Sequence, residues 1–380
     1  MFLISSKAKA AKNPAIPGSA HPGAAPAGPG EAADEFWKSA LLEGRIADPV
    51  RFSQFMLGKV SRTFALNIQV LPAGLRRQVL LAYLFCRMAD TLEDDADLPA
   101  DEKMDLLESF RALFPPGPEA EHRLEDFTRR LPPQWGSSGR WDHLLVFHCR
   151  WIYPQLREFS GPVIRVISDC VREMGGGMSS FTARFRGGST LIRTLQDLDE
   201  YCYYVAGTVG LMLCELFALH SPLIGKQRAQ ALKDLSVSFG LGLQLTNILK
   251  DIGEDGERNV SFIPPALVES GMVTPGGFLQ LIRKAKSHLE DALEYSCLLP
   301  RLEPRLRLFC LWPLFMAAET LVLLARGGPA RTGIKISRAQ VRKIVSRTSL
   351  ACWTNSGIRL LFRKPMNELE SLLSPAGAAP

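Results

Sequence analysis

An all-α fold, built as one large helical bundle around a central active-site cavity, is what this chain predicts. Three observations carry that expectation. Apolar residues recur at intervals of three and four over long stretches, no run of alternating β-branched residues bounded by turns appears, and the breaks between periodic stretches are short. Helices are therefore expected over Val79–Asp94, Leu198–Leu219, Ala229–Ile252, Phe278–Leu299 and Leu306–Leu324. Breaks are expected at Phe114–Pro118, Pro132–Gly139, Gly187-Gly188, Pro264-Pro265, Pro275–Gly277 and Gly327–Gly333. Residues 1–34, rich in Pro, Gly and Ala through 13–30, read as a disordered arm, 35–373 as one domain and 374–380 as a tail. A single core of that size is easier to build around a ligand cavity.

Composition narrows the function classes. Of 380 residues, 46% are apolar and 22% charged, which supplies a sizeable core. The net charge of +6 is mild, and no Lys/Arg run marks a nucleic-acid surface, so nucleic acid is not expected as a partner. Eight cysteines lie scattered in apolar segments without a CxxC pair and read as small buried hydrophobes of a reducing compartment. The histidines do not pair with them at zinc-ligand spacing. Met1–Ile4 is too short for a signal-peptide apolar region. Leu306–Ala325 approaches a membrane span in length, but Arg307, Pro313 and Glu319 interrupt it, so it reads as a buried core helix. The expectation is a cytoplasmic protein, soluble or in peripheral contact with membranes, and monomeric.

The chemistry lies in two acidic clusters about 160 residues apart, Asp90-Thr91-Leu92-Glu93-Asp94-Asp95 and Asp251-Ile252-Gly253-Glu254-Asp255. In each, three carboxylates fall at i, i+3 and i+4, one face of a helix, where like charges repel. Oxygen-only ligands suit Mg²⁺. The candidate metal residues are Asp90, Glu93, Asp94, Asp251, Glu254 and Asp255. Tyr83, Arg87, Asp90 and Asp94 form one stripe with apolar flanks, and Gln244, Asn247, Asp251 and Glu254, with Lys250 alongside, form another. Such stripes suit a polar cavity inside a bundle better than a solvated face. A diphosphate needs two carboxylate walls, because a bridging cation is required before it can approach them and before it can leave. Its departure from an allylic carbon leaves a carbocation, which aromatic rings can face; Phe64, Tyr83, Tyr201, Tyr203, Tyr204 and Phe239 are the candidates. Two solvated charged faces on a non-catalytic helical adaptor remain the bland alternative.

Four ordered motifs resemble the squalene/phytoene synthase family, squalene synthase in particular. They are Ser61-Arg62-Thr63-Phe64, Tyr83-Leu84-Phe85-Cys86-Arg87-Met88-Ala89-Asp90, Tyr201-Cys202-Tyr203-Tyr204-Val205-Ala206-Gly207-Thr208-Val209-Gly210 and Leu243-Gln244-Leu245-Thr246-Asn247-Ile248-Leu249-Lys250-Asp251. The resemblance implies the isoprenoid synthase bundle and head-to-head condensation of two farnesyl diphosphates, through presqualene diphosphate, to squalene with Mg²⁺ and NADPH. It implies Tyr201 as the residue assisting proton removal, with Tyr83 and Phe64 around the cation. Ser61, Arg62, Arg87 and Arg258 would hold diphosphate oxygens, and Gln244 and Asn247 would orient the second substrate. Arg62, Arg87, Lys250, Lys335 and Arg338 would meet the nicotinamide cofactor.

Three departures bear on the branch. Lys250 stands where the squalene branch shows Arg, and Lys335-Ile336-Ser337-Arg338 displaces one arginine of that branch's Lys-Ile-Arg by a residue. Asp251-Ile252-Gly253-Glu254-Asp255 looks more like the phytoene or dehydrosqualene branch, which uses no nicotinamide, although that branch's Arg-Gly-Arg-x-Tyr-Leu-Pro continuation is absent. Gly175-Gly176-Gly177 follows no strand and is expected to mark a helix break or a close helix approach, not a dinucleotide site. The resemblance also brings to mind a C-terminal membrane anchor; none is expected in this chain.

Overall fold

Side-chain caps set where many of the helices begin. Asp48 accepts from the Arg51 amide ahead of Pro49, Thr274 accepts from Gly277 ahead of Pro275, and Thr354 accepts from Gly357. Thr194 with Asp197, and Ser337 with Gln340, close reciprocal capping boxes. The computed structural model describes residues 30–185, 192–256, 262–329, 331 and 333–374, and of residues 62, 63, 185 and 254–256 the backbone alone.

Among the described residues the order is α1 (Glu31–Leu42), α2 (Pro49–Val60), α3 (Arg62–Val70), α4 (Ala73–Asp94), α5 (Ala100–Arg111), α6 (Ala120–Arg130), α7 (Trp141–Phe147), α8 (Gly161–Phe185), α9 (Leu195–Cys202), α10 (Thr208–His220), α11 (Lys226–Gly256), then β1 (Val268–Glu269) and β2 (Met272–Val273), followed by α12 (Pro275–Leu298), α13 (Pro304–Gly327), α14 (Arg338–Ala351) and α15 (Asn355–Leu373). The all-α expectation holds. It missed one small feature, an antiparallel ribbon of two residues a side closed by Ser270 and Gly271 at positive φ, too short to leave a sequence period. The folded part also starts earlier than expected: residues 31–34, assigned to the arm, form the first turn of α1, where Ala33 is buried. The rest of the arm, 1–29, and of the tail, 375–380, lie outside the described residues, as does the break at Gly187-Gly188.

α11 packs along α12 and against α10, while α8 is flanked by α4, α5 and α10. Small residues permit these approaches. A Cβ on Gly177 would lie 2.0 Å from the Tyr204 ring, and one on Gly240 would lie 2.3 Å from the Ala206 carbonyl oxygen. Of the two readings of Gly175-Gly176-Gly177, the close approach is therefore correct, since α8 runs unbroken through all three. The stretch expected as one helix over Leu198–Leu219 is continuous but passes through a π-helical turn at Tyr203–Gly207.

All eight cysteines are buried and free. The helix read as a core element, α13, is largely buried, and its Arg307 is fully enclosed, donating to the Cys352 carbonyl oxygen at 2.7 Å and to the Asn355 side chain. Among the described residues, two helical stretches, Leu195–His220 and Pro304–Gly327, are long and apolar enough to cross a membrane; both contribute to the bundle core.

Candidate active site

The first wall is the C-terminal end of α4. Asp90 is buried, Glu93 half-buried and Asp94 exposed, so the three carboxylates climb from the core to the surface. No basic residue occupies this last turn, although the negative end of the helix dipole favours cations there. Burial and then the Asp94 charge push the Asp90 carboxyl well up, against the pull of Arg87. Burial, Asp94 and Asp90 do the same to Glu93, against Lys103. The Glu93 Oε2 atom is buried without a hydrogen-bond partner. This end of the helix is destabilised three ways, and a divalent cation would relieve each of them.

Arg87 sits one turn below. Its guanidinium donates to Asp90 at 2.7 Å and to Asp142 at 3.4 Å. A charged network continues behind it. Arg140 donates twice to Asp142, at 3.2 and 2.9 Å, and once to Asp95 at 3.1 Å. His143 lies 2.7 Å from Asp95 and stacks on Trp135. Although burial raises both, the His143 hydrogen bond holds the Asp95 carboxyl below its usual range, and the Arg140 hydrogen bond does so for Asp142. Asp95, adjacent to the wall in sequence, thus faces away from it.

Phe64 and Tyr83 stack at 4.9 Å, and Phe309 closes edge-on against Phe64. The Ser61 hydroxyl caps α3 through the Phe64 amide and lies near enough to the Tyr83 hydroxyl to ease its ionisation. Burial pushes Tyr83 up to about 12. Tyr201 is buried between Phe181 and Phe262, and burial followed by the charges of Glu93, Asp94 and Asp90 raises it well above the ordinary phenol range. That dependence places Tyr201 beside the α4 wall.

The second wall is the C-terminal end of α11, which also lacks a basic residue in its last turn. Asp251 is half-buried, with Lys250 Nζ at 3.4 Å, and Lys250 also donates to Asn247 at 3.4 Å. Gln244 Oε1 and Asn247 Nδ2 are buried without partners. The side chains of Glu254, Asp255 and Arg62, and all of Arg258, lie outside the described residues. Among the described residues, no set of three or more acidic, His or Cys side chains converges on one point.

The structure therefore brings together Ser61, Phe64, Tyr83, Arg87, Asp90, Glu93, Asp94 and Tyr201. It gives other partners to three of the ring candidates. Tyr203 donates to Glu173 at 2.6 Å, Tyr204 lies over Gly177, and Phe239 packs edge-on against Tyr295. Lys335 and Arg338 are exposed and form no ion pair among the described residues. Ser337, which separates them from a Lys-Ile-Arg run, is there as the N-cap of α14. Sequence reasoning missed Arg140, Asp142, His143, Phe181, Phe262 and Phe309. Only Asp142-His143, polar at the head of an apolar helix, left a signal.

A bundle that is helical but for one short ribbon, with α4 ending in carboxylates beside the buried Tyr83 and Tyr201 and the enclosed Arg87, is of the isoprenoid synthase type. The squalene/phytoene synthase family model matches residues 57–344. Squalene synthase of Solanum lycopersicum is 32% identical over 316 residues, covering 78% of this chain and 70% of its own length. Those of Schizosaccharomyces pombe and Homo sapiens are each 30% identical, over 310 and 304 residues; they cover 76% and 75% of this chain, which spans 63% and 66% of their lengths. Among solved structures, TcSQS with the ligand BPH1237 superposes with a TM-score of 0.71 at 24% identity, over 87% of this chain and 94% of that one. A dehydrosqualene synthase in complex with a ligand gives 0.56 at 21%, over 80% and 95%. The chain belongs to the squalene/phytoene synthase family.

Proposed function

We propose that the chain is a squalene synthase, a farnesyl-diphosphate farnesyltransferase acting as a monomer. It joins two farnesyl diphosphates head to head, through presqualene diphosphate, to squalene. One observation carries the reading. The α4 wall holds mutually repelling carboxylates, with Asp90 buried, beside Tyr201, in a chain about 30% identical to squalene synthases over three quarters of its length.

The residues fit a divalent cation, since Glu93 Oε2 lacks a partner and all the donors are oxygens. Asp90, Glu93 and Asp94, together with Asp251, Glu254 and Asp255, would hold Mg²⁺. When bound, Mg²⁺ supplies the positive charge that admits a diphosphate between the walls and stabilises it as it leaves. Arg87, oriented by Asp90 and Asp142, would add a planar pair of donors, with Ser61, Arg62 and Arg258 around the same oxygens. The stacked Phe64 and Tyr83 rings present π faces to an allylic cation. Tyr201, a neutral phenol at pH 7, would guide the departing proton toward the released diphosphate and carry no charge itself. The partnerless amide atoms of Gln244 and Asn247 would orient the second substrate. The NADPH requirement comes from the product, because squalene needs a hydride that this chain's side chains lack. The exposed Lys335 and Arg338 are cations that would meet its phosphates.

A second reading, dehydrosqualene or phytoene synthesis, draws on the Asp251–Asp255 motif alone. Incubation with labelled farnesyl diphosphate and Mg²⁺, with and without NADPH, separates them. Squalene that forms only with NADPH is expected. Dehydrosqualene in both arms, or phytoene from geranylgeranyl diphosphate, overturns the reduction step and moves the chain to the carotenoid branch.

A further inference from the structure

The C-terminal end of the bundle carries a charge distribution that the cofactor role of Lys335 and Arg338 does not account for. Between Thr320 and Asn367 the chain holds ten Lys and Arg residues and no Asp or Glu. Since the whole chain is +6, everything outside that stretch is net −4. The fold arranges most of this segment as a hairpin, α14 and α15, joined by residues 352–354. On α14 the exposed positions Arg342, Lys343, Ser346, Arg347 and Leu350 share one face. On α15, Leu360, Arg363 and Lys364 do the same. Arg326 and Arg359 are matched by Glu368 and Glu294. Arg342, Lys343, Arg347, Arg363 and Lys364 form no ion pair among the described residues.

Large apolar side chains stand among these cations. Leu350 is 82% exposed, Trp353 56% and Leu360 67%. Leu302, 78% exposed, stands in the turn between α12 and α13, whose flanking residues Cys297 and Arg307 hydrogen-bond Asn355 and Cys352. Buried Arg307 ties α13 to the 352–354 turn, and Asn355 donates to the Cys297 carbonyl oxygen at 3.2 Å. The apolar tips are therefore held outward by a fully enclosed polar staple. Between α13, α14 and α15 runs a cleft of about 210 Å³, floored by Phe315, Ile344 and Leu361 and rimmed by Lys343, Arg347 and Lys364, with Glu319 and Glu368 on its wall. Scattered exposed leucines need no explanation, but a Trp and leucines exposed beside five cations that form no ion pair among the described residues do.

We propose that the α14–α15 hairpin, with the turn carrying Leu302, is a docking face for an anionic bilayer. Leu302, Leu350 and Trp353 enter the headgroup layer, while Arg342, Lys343, Arg347, Arg363 and Lys364 meet lipid phosphates. Charge complementarity selects this occupant. A second copy of the chain would bring the same cations against themselves, and a nucleic acid would leave the apolar tips in water. None of Arg342, Lys343, Arg347, Arg363, Lys364, Leu302, Leu350 and Trp353 has a role in the proposed site, so binding through them is read without turnover.

The test is flotation of the full chain with vesicles of phosphatidylcholine, alone or mixed with phosphatidylglycerol. Partition to the mixed vesicles is expected, weakening as salt shortens the Debye length. Arg342→Gln/Lys343→Gln/Arg347→Gln is expected to lower partition about a hundredfold. Leu350→Ser/Trp353→Ser is expected to lower it about tenfold or more. Both variants should keep wild-type circular dichroism and wild-type turnover of detergent-dispersed substrate. Equal partition to neutral vesicles, no partition, or unchanged partition of both variants overturns the proposal. So does self-association, or binding to a DNA duplex, that the same substitutions abolish in place of vesicle binding.

Discussion

Arg87 shows how one side chain at this site is determined by residues far away in the chain. Its stripe with Tyr83, Asp90 and Asp94 is visible as a four, three, four spacing. Its orientation depends on Asp142, 55 positions on, which Arg140 in turn holds. Removing Asp142 would leave Arg87 with Asp90 alone and Arg140 with Asp95 alone, and would break both buried pairs that join the two guanidinium groups. Asp142→Ala is expected to destabilise the fold by about 3 kcal/mol in urea unfolding. The variant should also lose part of the acid limb of the stability profile. Asp142 and Asp95 have folded pKa values held below the usual carboxylate range, so their stabilisation is complete above the unfolded pKa of about 4 and is lost as pH falls through the folded values. A wild-type-like pH profile in Asp142→Ala would remove the network from the account. Asn67 is a different case, buried with neither amide atom partnered, and nothing around it explains why an apolar residue does not stand there.

At the scale of elements, periodicity made the long helices legible, because apolar spacing of three and four survives whatever they pack against. What it missed were features shorter than a helical repeat or dependent on a neighbour. The π-helical turn at Tyr203–Gly207 is one. It sits where α9 gives way to α10, and Gly240 of α11 lies against its Ala206 carbonyl oxygen. Because that contact is backbone to backbone, no side chain can move aside. Gly240→Ala is expected to cost about 2–3 kcal/mol or more, read as a lower urea midpoint with unchanged slope. Neutral behaviour would mean that α10 and α11 slide apart freely. The same turn accounts for the ring candidates that took other partners. Tyr201 reaches the α4 wall, while Tyr203 and Tyr204, past the start of the turn, pack toward α8.

For the whole molecule, the consequence is that the ligand-free fold carries repulsion which ligand binding should relieve. Mg²⁺ with a non-hydrolysable diphosphate analogue at a hundredfold over its Kd is expected to add about 2.7 kcal/mol, seen as a raised Tm. Asp90→Ala should keep its helical circular dichroism and lose both that shift and turnover. A shift of wild-type size in the variant would remove Asp90 from the metal set. What the sequence determined by itself was the class of fold and the two acidic clusters proposed to carry the chemistry. Helical periodicity and like charges at i, i+3 and i+4 are local patterns, and their cost is legible without coordinates. What the tertiary structure decided was everything that depends on which residues meet: Asp95 turning from the wall to His143, the Asp142–Arg140 pair behind Arg87, and the packing of α14 against α15. Those outcomes follow from long-range packing, which brings together positions that no local spacing connects.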